Sequence, residues 1–118
     1  MRRLPPVLLV AALALASAAG SSAATPKLTG VVGPGFTITL KNGTKPVKTL
    51  KAGTYTIVVS DRASIHNFHL TGPGVNKSTT VPFTGTQTWT VKLKAGKYTY
   101  QCDPHASAGM KGTFTVTG

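Results

Sequence analysis

Apolar and polar residues alternate with period two along most of this chain, and no segment keeps a helical period. Phe36-Thr37-Ile38-Thr39-Leu40 alternates apolar residues with threonine and runs into Asn42-Gly43, a turn signal. Tyr55-Thr56-Ile57-Val58-Val59 alternates and then becomes continuously apolar. Ile65–Leu70 predicts a further short strand, and Trp89–Leu93, Tyr98–Cys102 and Phe114–Val116 repeat the pattern. Threonine and aromatic side chains suit a pleated, half-buried surface. Gly33-Pro34-Gly35, Gly72-Pro73-Gly74 and Gly85 punctuate these segments. Short strands between such turns predict an all-β domain, either a sandwich or a barrel.

One segment echoes another. Leu50-Lys51-Ala52-Gly53-Thr54-Tyr55-Thr56 returns as Leu93-Lys94-Ala95-Gly96-Lys97-Tyr98-Thr99. Seven residues are too few for a structural repeat, so two similar turns are expected. The first launches a strand toward His66 and the second a strand ending at Cys102. Both segments are therefore expected to leave the sheets at one end of the domain.

Composition adds a compartment and a charge. Residues 1–24 read as an export signal: Arg2 and Arg3, then the apolar run Leu8–Ala16, then Ser22-Ala23-Ala24 before Thr25. Cleavage after Ala18 or Ala23 fits nearly as well. The apolar run is shorter than the roughly 20 residues of a membrane span. Residues 25–118 then form one small domain, exported to the periplasm, the cell wall or the medium, with no transmembrane segment after cleavage. This part carries ten lysines and Arg62 against Asp61 and Asp103, a net +9. Such a surface suits solubility or an acidic partner. The lysines are scattered rather than clustered, and with export this argues against nucleic acid. A monomer is the default.

The chemistry sits in Cys102-Asp103-Pro104-His105-Ala106-Ser107-Ala108-Gly109-Met110, which holds the chain's single cysteine. An unpaired cysteine in an exported protein implies a partner chain, a reactive thiol or a metal. Thiolate, imidazole and thioether together suit copper in an electron-transfer site, which also needs a second imidazole. Strand parity over Ile65–Leu70 puts His66 with Phe68 and Leu70 on an apolar face and His69 on the other, so His66 is preferred. Singly, each residue has an ordinary use. Cys102 reads as a small buried hydrophobe, His66 as a core histidine, Met110 as packing, and His105 as a loop residue. Their convergence favours the metal.

Cys102-x2-His105-x4-Met110, with Pro104 directly before the histidine, and the His66-Asn67 pair upstream resemble the cupredoxins, the small blue-copper proteins, with the loop spacing of plastocyanins and pseudoazurins. The resemblance covers about residues 27–117. It implies a Greek-key β-sandwich of about seven or eight strands. It also implies one type 1 copper ion bound by His66, Cys102 and His105, with Met110 as a weak axial ligand. It makes Asn67 a tie between the upstream segment and the cysteine loop. Redox partner proteins, acidic ones included, are expected to dock near His105, where electrons would leave. Asp103 departs from the family pattern, in which a small neutral residue is usual.

The expected function is single-electron transfer through Cu(II) and Cu(I). A copper carrier or buffer in the cell envelope is the alternative, although it would favour open, methionine- or histidine-rich coordination. An enzyme is not expected. A Cys-His hydrolase needs a base and an oxyanion device, and a copper oxidase needs further ligands. A structural zinc site is disfavoured, because methionine is a poor zinc ligand.

Overall fold

The computed structural model describes residues 2–3 and 24–118. The export signal expected over residues 1–24 lies outside the described residues, save Arg2, Arg3 and Ala24. The strands are β1 (Lys27–Val32), β2 (Ile38–Asn42), β3 (Lys45–Pro46), β4 (Thr49–Lys51), β5 (Gly53–Asp61), β6 (His69–Gly72), β7 (Val75–Ser78), β8 (Gly85–Leu93), β9 (Gly96–Gln101) and β10 (Lys111–Thr117). They make two five-stranded sheets, β3-β2-β1-β5-β8 and β4-β10-β9-β6-β7. β1 runs parallel to β5 and β4 parallel to β10, while the other pairings are antiparallel. The molecule is a β-sandwich of two packed sheets, the all-β architecture that the strand pattern predicts.

Among the described residues ten strands form where about seven or eight are expected. β3 and β4 have two and three residues, too few for a period to register. β1 hides its alternation because Gly30 takes a core-facing position, where a methyl group would strike the Phe68 ring. The strand expected over Ile65–Leu70 is a correction: β6 begins only at His69, and residues 62–68 form a loop.

The core lies between the sheets and includes Leu28, Ile57, Val59, Phe68, Leu70, Leu93 and Tyr98, each at most 1% exposed. Phe68 stacks parallel to Tyr100 at 5.8 Å, and Tyr98 stacks on Phe114 at 5.2 Å. Offset aromatic pairs of this kind add to the area they bury.

The echoed turns carry the chain from one sheet to the other, β4 into β5 and β8 into β9. In each, the tyrosine folds back on its own turn. Tyr55 Oη donates to the Lys51 carbonyl at 2.6 Å. Tyr98 Oη lies 3.0 Å from the Lys94 carbonyl and accepts the Lys94 N–H at 2.9 Å. Gly53 pairs with Leu93, and Gly96 follows three residues later, so β5 and β9 start side by side and run the same way. The His66 loop and Cys102 consequently emerge at the same end, as the echo predicts.

Candidate metal centre

Cys102 follows the last residue of β9 and is fully buried. Its loop is a 3₁₀ segment, Asp103–Ala108, with Pro104 at its start, where no N–H is needed. Gly109 ends it in the left-handed region (φ 97°), a conformation few side chains tolerate. The loop closes on itself: Cys102 N–H donates to the Met110 carbonyl at 3.0 Å, and Met110 N–H to the His105 carbonyl at 3.2 Å. Met110, 2% exposed, is thereby returned to the flank of Cys102.

His66 comes from the loop after β5 and is 0% exposed. Its Nδ1 lies 3.0 Å from His105 Nδ1 and 3.6 Å from Cys102 Sγ, while His105 Nδ1 lies 3.4 Å from that sulfur. These are the edges spanned by ligand atoms that each stand about 2.0 to 2.3 Å from one ion. Among the described residues, His66, Cys102 and His105 are the one group of metal-ligating side chains converging in this way. The donor set is two imidazoles and one thiolate, and the cysteine loop ends in the buried thioether residue Met110, a combination that fits copper. Gly33 (φ 73°) passes close to His66, so that a Cβ there would be 3.1 Å from the ring's Cδ2.

Asn67 joins the two ligand-bearing segments. Its Oδ1 accepts the Asp103 N–H at 2.7 Å, and its Nδ2 donates to the Asp103 carboxylate at 2.9 Å. That bracket buries Asn67 to 4% exposure, against the parity that would have turned it outward. His69 stands apart from the triangle. Its Nδ1 meets the Asp103 carboxylate at 2.9 Å and its Nε2 faces Asn76 Oδ1 at 2.6 Å. Burial would lower its pKa, but the bonds to Asn76 and Asp103 and the Asp103 charge raise it above the usual imidazole value. Asp103 is held low in return. Burial pushes its carboxyl up, and bonds from Gln101, Asn67 and His69 outweigh that.

Two neighbours were not singled out from the sequence. Phe36, read there as a strand residue, lies before β2 and is 65% exposed, with its ring edge-on to both His66 (5.2 Å) and His105 (4.9 Å). The adjacent Gly33-Pro34-Gly35 signals the turn that frees it. Asp61 ends β5 and is 2% exposed. Its signal was available, because it follows Tyr55, Ile57 and Val59 at strand spacing on the core face.

Comparison with known proteins agrees with the site. The family of copper binding proteins, plastocyanin/azurin family, matches residues 31–117. A plastocyanin of Nostoc punctiforme is 52% identical over 33 residues, which make up 28% of this chain and 24% of that protein. The match thus spans about a quarter of that relative's length. Reduced rusticyanin superimposes with a TM-score of 0.59 at 21% identity, over 77% of this chain and 78% of its own. Reduced auracyanin from Roseiflexus castenholzii does so at 0.57 and 21%, over 80% of this chain and 99% of its own. At these identities the structural likeness is one of fold. The chain belongs to the plastocyanin/azurin family of copper binding proteins, and copper is its cofactor.

Proposed function

We propose that this protein is an exported carrier of single electrons, with copper held at a type 1 site by His66, Cys102 and His105 and weakly by Met110. The observation that carries the reading is the closed triangle of two Nδ1 atoms and one Sγ, with sides of 3.0 to 3.6 Å. Bound copper would supply the Cu(II)/Cu(I) couple. Thiolate and thioether favour the reduced ion and imidazole the oxidised one, so one fixed donor set serves both. The chain's part is to keep that set fixed. The Cys102–Met110 loop is closed by its own backbone bonds, and Asn67 ties it to the His66 loop. His66 and Cys102 are shut off from water, and His105 is part-exposed, which makes it the exit for the electron. Phe36, whose ring meets His105, and Pro104 and Ala108 of its loop are exposed uncharged residues on a basic molecule. That arrangement supports transient docking to acidic redox partners, in which charge speeds encounter more than it strengthens the complex.

Titration of the purified mature protein with Cu(II) tests this. An intense visible thiolate-to-copper band is expected, lost in Cys102→Ala, lost or shifted in His66→Ala, and kept in His69→Ala. An intact protein without the band overturns the proposal. Fast electron self-exchange with slow copper loss supports the electron carrier. The reverse supports a copper carrier or buffer in the cell envelope.

A further inference from the structure

His66 is held in an unusual way for a metal-binding histidine. Such residues commonly donate the far ring N–H to a carboxylate, a carbonyl or water, which fixes the ring. Here Nε2 of His66 is buried and, among the described residues, has no hydrogen-bond partner. The orientation of the ring must come from its packing and from the backbone that carries it.

That backbone is clamped from below by a buried pair. Asp61 Oδ1 accepts the Ala63 N–H at 3.3 Å, three residues before His66. Asp61 Oδ2 accepts the Thr79 hydroxyl at 3.0 Å. The same hydroxyl oxygen accepts the Phe68 N–H at 2.9 Å, two residues after His66, and the Thr79 N–H donates to the Phe68 carbonyl at 3.0 Å. Thr79 is 1% exposed and Asp61 2%. A buried carboxylate is costly unless its oxygens are bonded. Among the described residues no lysine or arginine pairs with Asp61, and the bonds it receives come from the His66 loop and from Thr79. One of only two acidic side chains in the chain is thus buried where it grips both flanks of His66. Its carboxyl is bonded to Ala63, whose carbonyl accepts the His66 N–H at 3.3 Å, so the charge sits at the base of the His66 loop.

We propose that Asp61, acting through Thr79, is a positioning residue of the copper site: it fixes the loop that aims His66 Nδ1 at Cys102 Sγ and sets a negative charge at the base of that loop. This rests on the ligand set given under Proposed function. Two consequences separate it from a purely structural part. Loss of the clamp loosens His66 and lowers copper affinity. Loss of the charge alone favours Cu(I) and raises the reduction potential.

The test compares the parent with Asp61→Asn, Thr79→Val and Thr79→Ser. Asn keeps the shape of Asp61 and one acceptor while removing the charge, and Val keeps the shape of Thr79 while removing the hydroxyl. Asp61→Asn is expected to form the visible band at a higher reduction potential than the parent. Thr79→Val is expected to bind copper about tenfold to a hundredfold more weakly, the range seen when such supporting contacts are lost. Thr79→Ser should return to the parent's affinity. Hydrogen exchange on the copper-free protein is a second readout. Phe68 and Ala63 amides should exchange about tenfold faster in Asp61→Asn, and Phe68 alone in Thr79→Val. If affinity and potential in both variants match the parent while only the melting temperature falls, Asp61 is a fold element and the proposal is wrong. A parent without the blue band would instead overturn the ligand reading, and the exchange measurement would still decide the clamp.

Discussion

Asp103 follows Cys102 directly, yet its carboxylate is used on the outer surface of the sheet. It takes bonds from Asn67, Gln101 and His69, and its side chain is 43% exposed. Asp103 and His69, neither given a role from the sequence, account for each other. Their pairing has a pH signature. The raised pKa of His69 means that its contribution to stability is fully present below its ordinary value of 6.5 and is lost as pH rises through the folded value. The lowered pKa of Asp103 acts at the other end, its contribution present above 3.8 and lost as pH falls through the folded value. The pair therefore helps most between about pH 4 and 6.5. A pair this exposed is worth about 0.2 to 1 kcal/mol. Urea denaturation of the parent and His69→Gln should show a gap of that size at pH 5.5 that closes by pH 9. A gap that widens with pH would mean that His69 is not held as an imidazolium.

At the level of elements, the two echoed turns do the same work. Each tyrosine is carried on a new strand and secures the turn that precedes it by four residues. Tyr55→Phe should cost about 1 kcal/mol, and Tyr98→Phe more, because it also strands the Lys94 N–H. Both losses are read from denaturation midpoints at unchanged slope. Tyr98 also leaves no room at Gly72 on β6, where a methyl group would overlap the ring. Gly72→Ala should cost about 1 to 3 kcal/mol by overpacking, since the buried ring is tied at its hydroxyl and cannot swing aside. Strand periods were legible for β5, β8, β9 and β10, where bulky residues alternate with polar ones. The His66 loop was misread because His66, Phe68 and Leu70 are all buried, which imitates a strand. Asn67 is the residue that breaks the pattern, and its burial depends on a partner 36 positions away.

Across the whole molecule, charge is the dominant asymmetry. Residues 25–118 carry eleven cationic side chains and two carboxylates. One carboxylate is buried and the other meets His69, and among the described residues no lysine or arginine forms an ion pair. Self-repulsion of such a surface opposes the compact state, and salt screens it within roughly 10 Å at 0.1 M. The melting temperature should therefore rise between 10 mM and 300 mM sodium chloride. A fall would mean that the His69–Asp103 attraction outweighs the repulsion among the lysines. The same field should make association with an acidic redox protein faster at low salt, as stopped-flow rates would show.

The sequence alone determined the class of fold, the kind of metal and three side chains, His66, Cys102 and His105, that meet in the structure. Those follow from local chemistry: a period of two, turn residues, and a cysteine, two histidines and a methionine at fixed spacing. Tertiary structure decided how those side chains are held. The Asp61–Thr79 clamp, the Asn67–Asp103 bracket, the His69–Asp103 pair and the Phe36 edge on both imidazoles join segments 11 to 69 residues apart. A polar side chain's partner over such distances depends on which strands pack face to face, and no local pattern of residues records that.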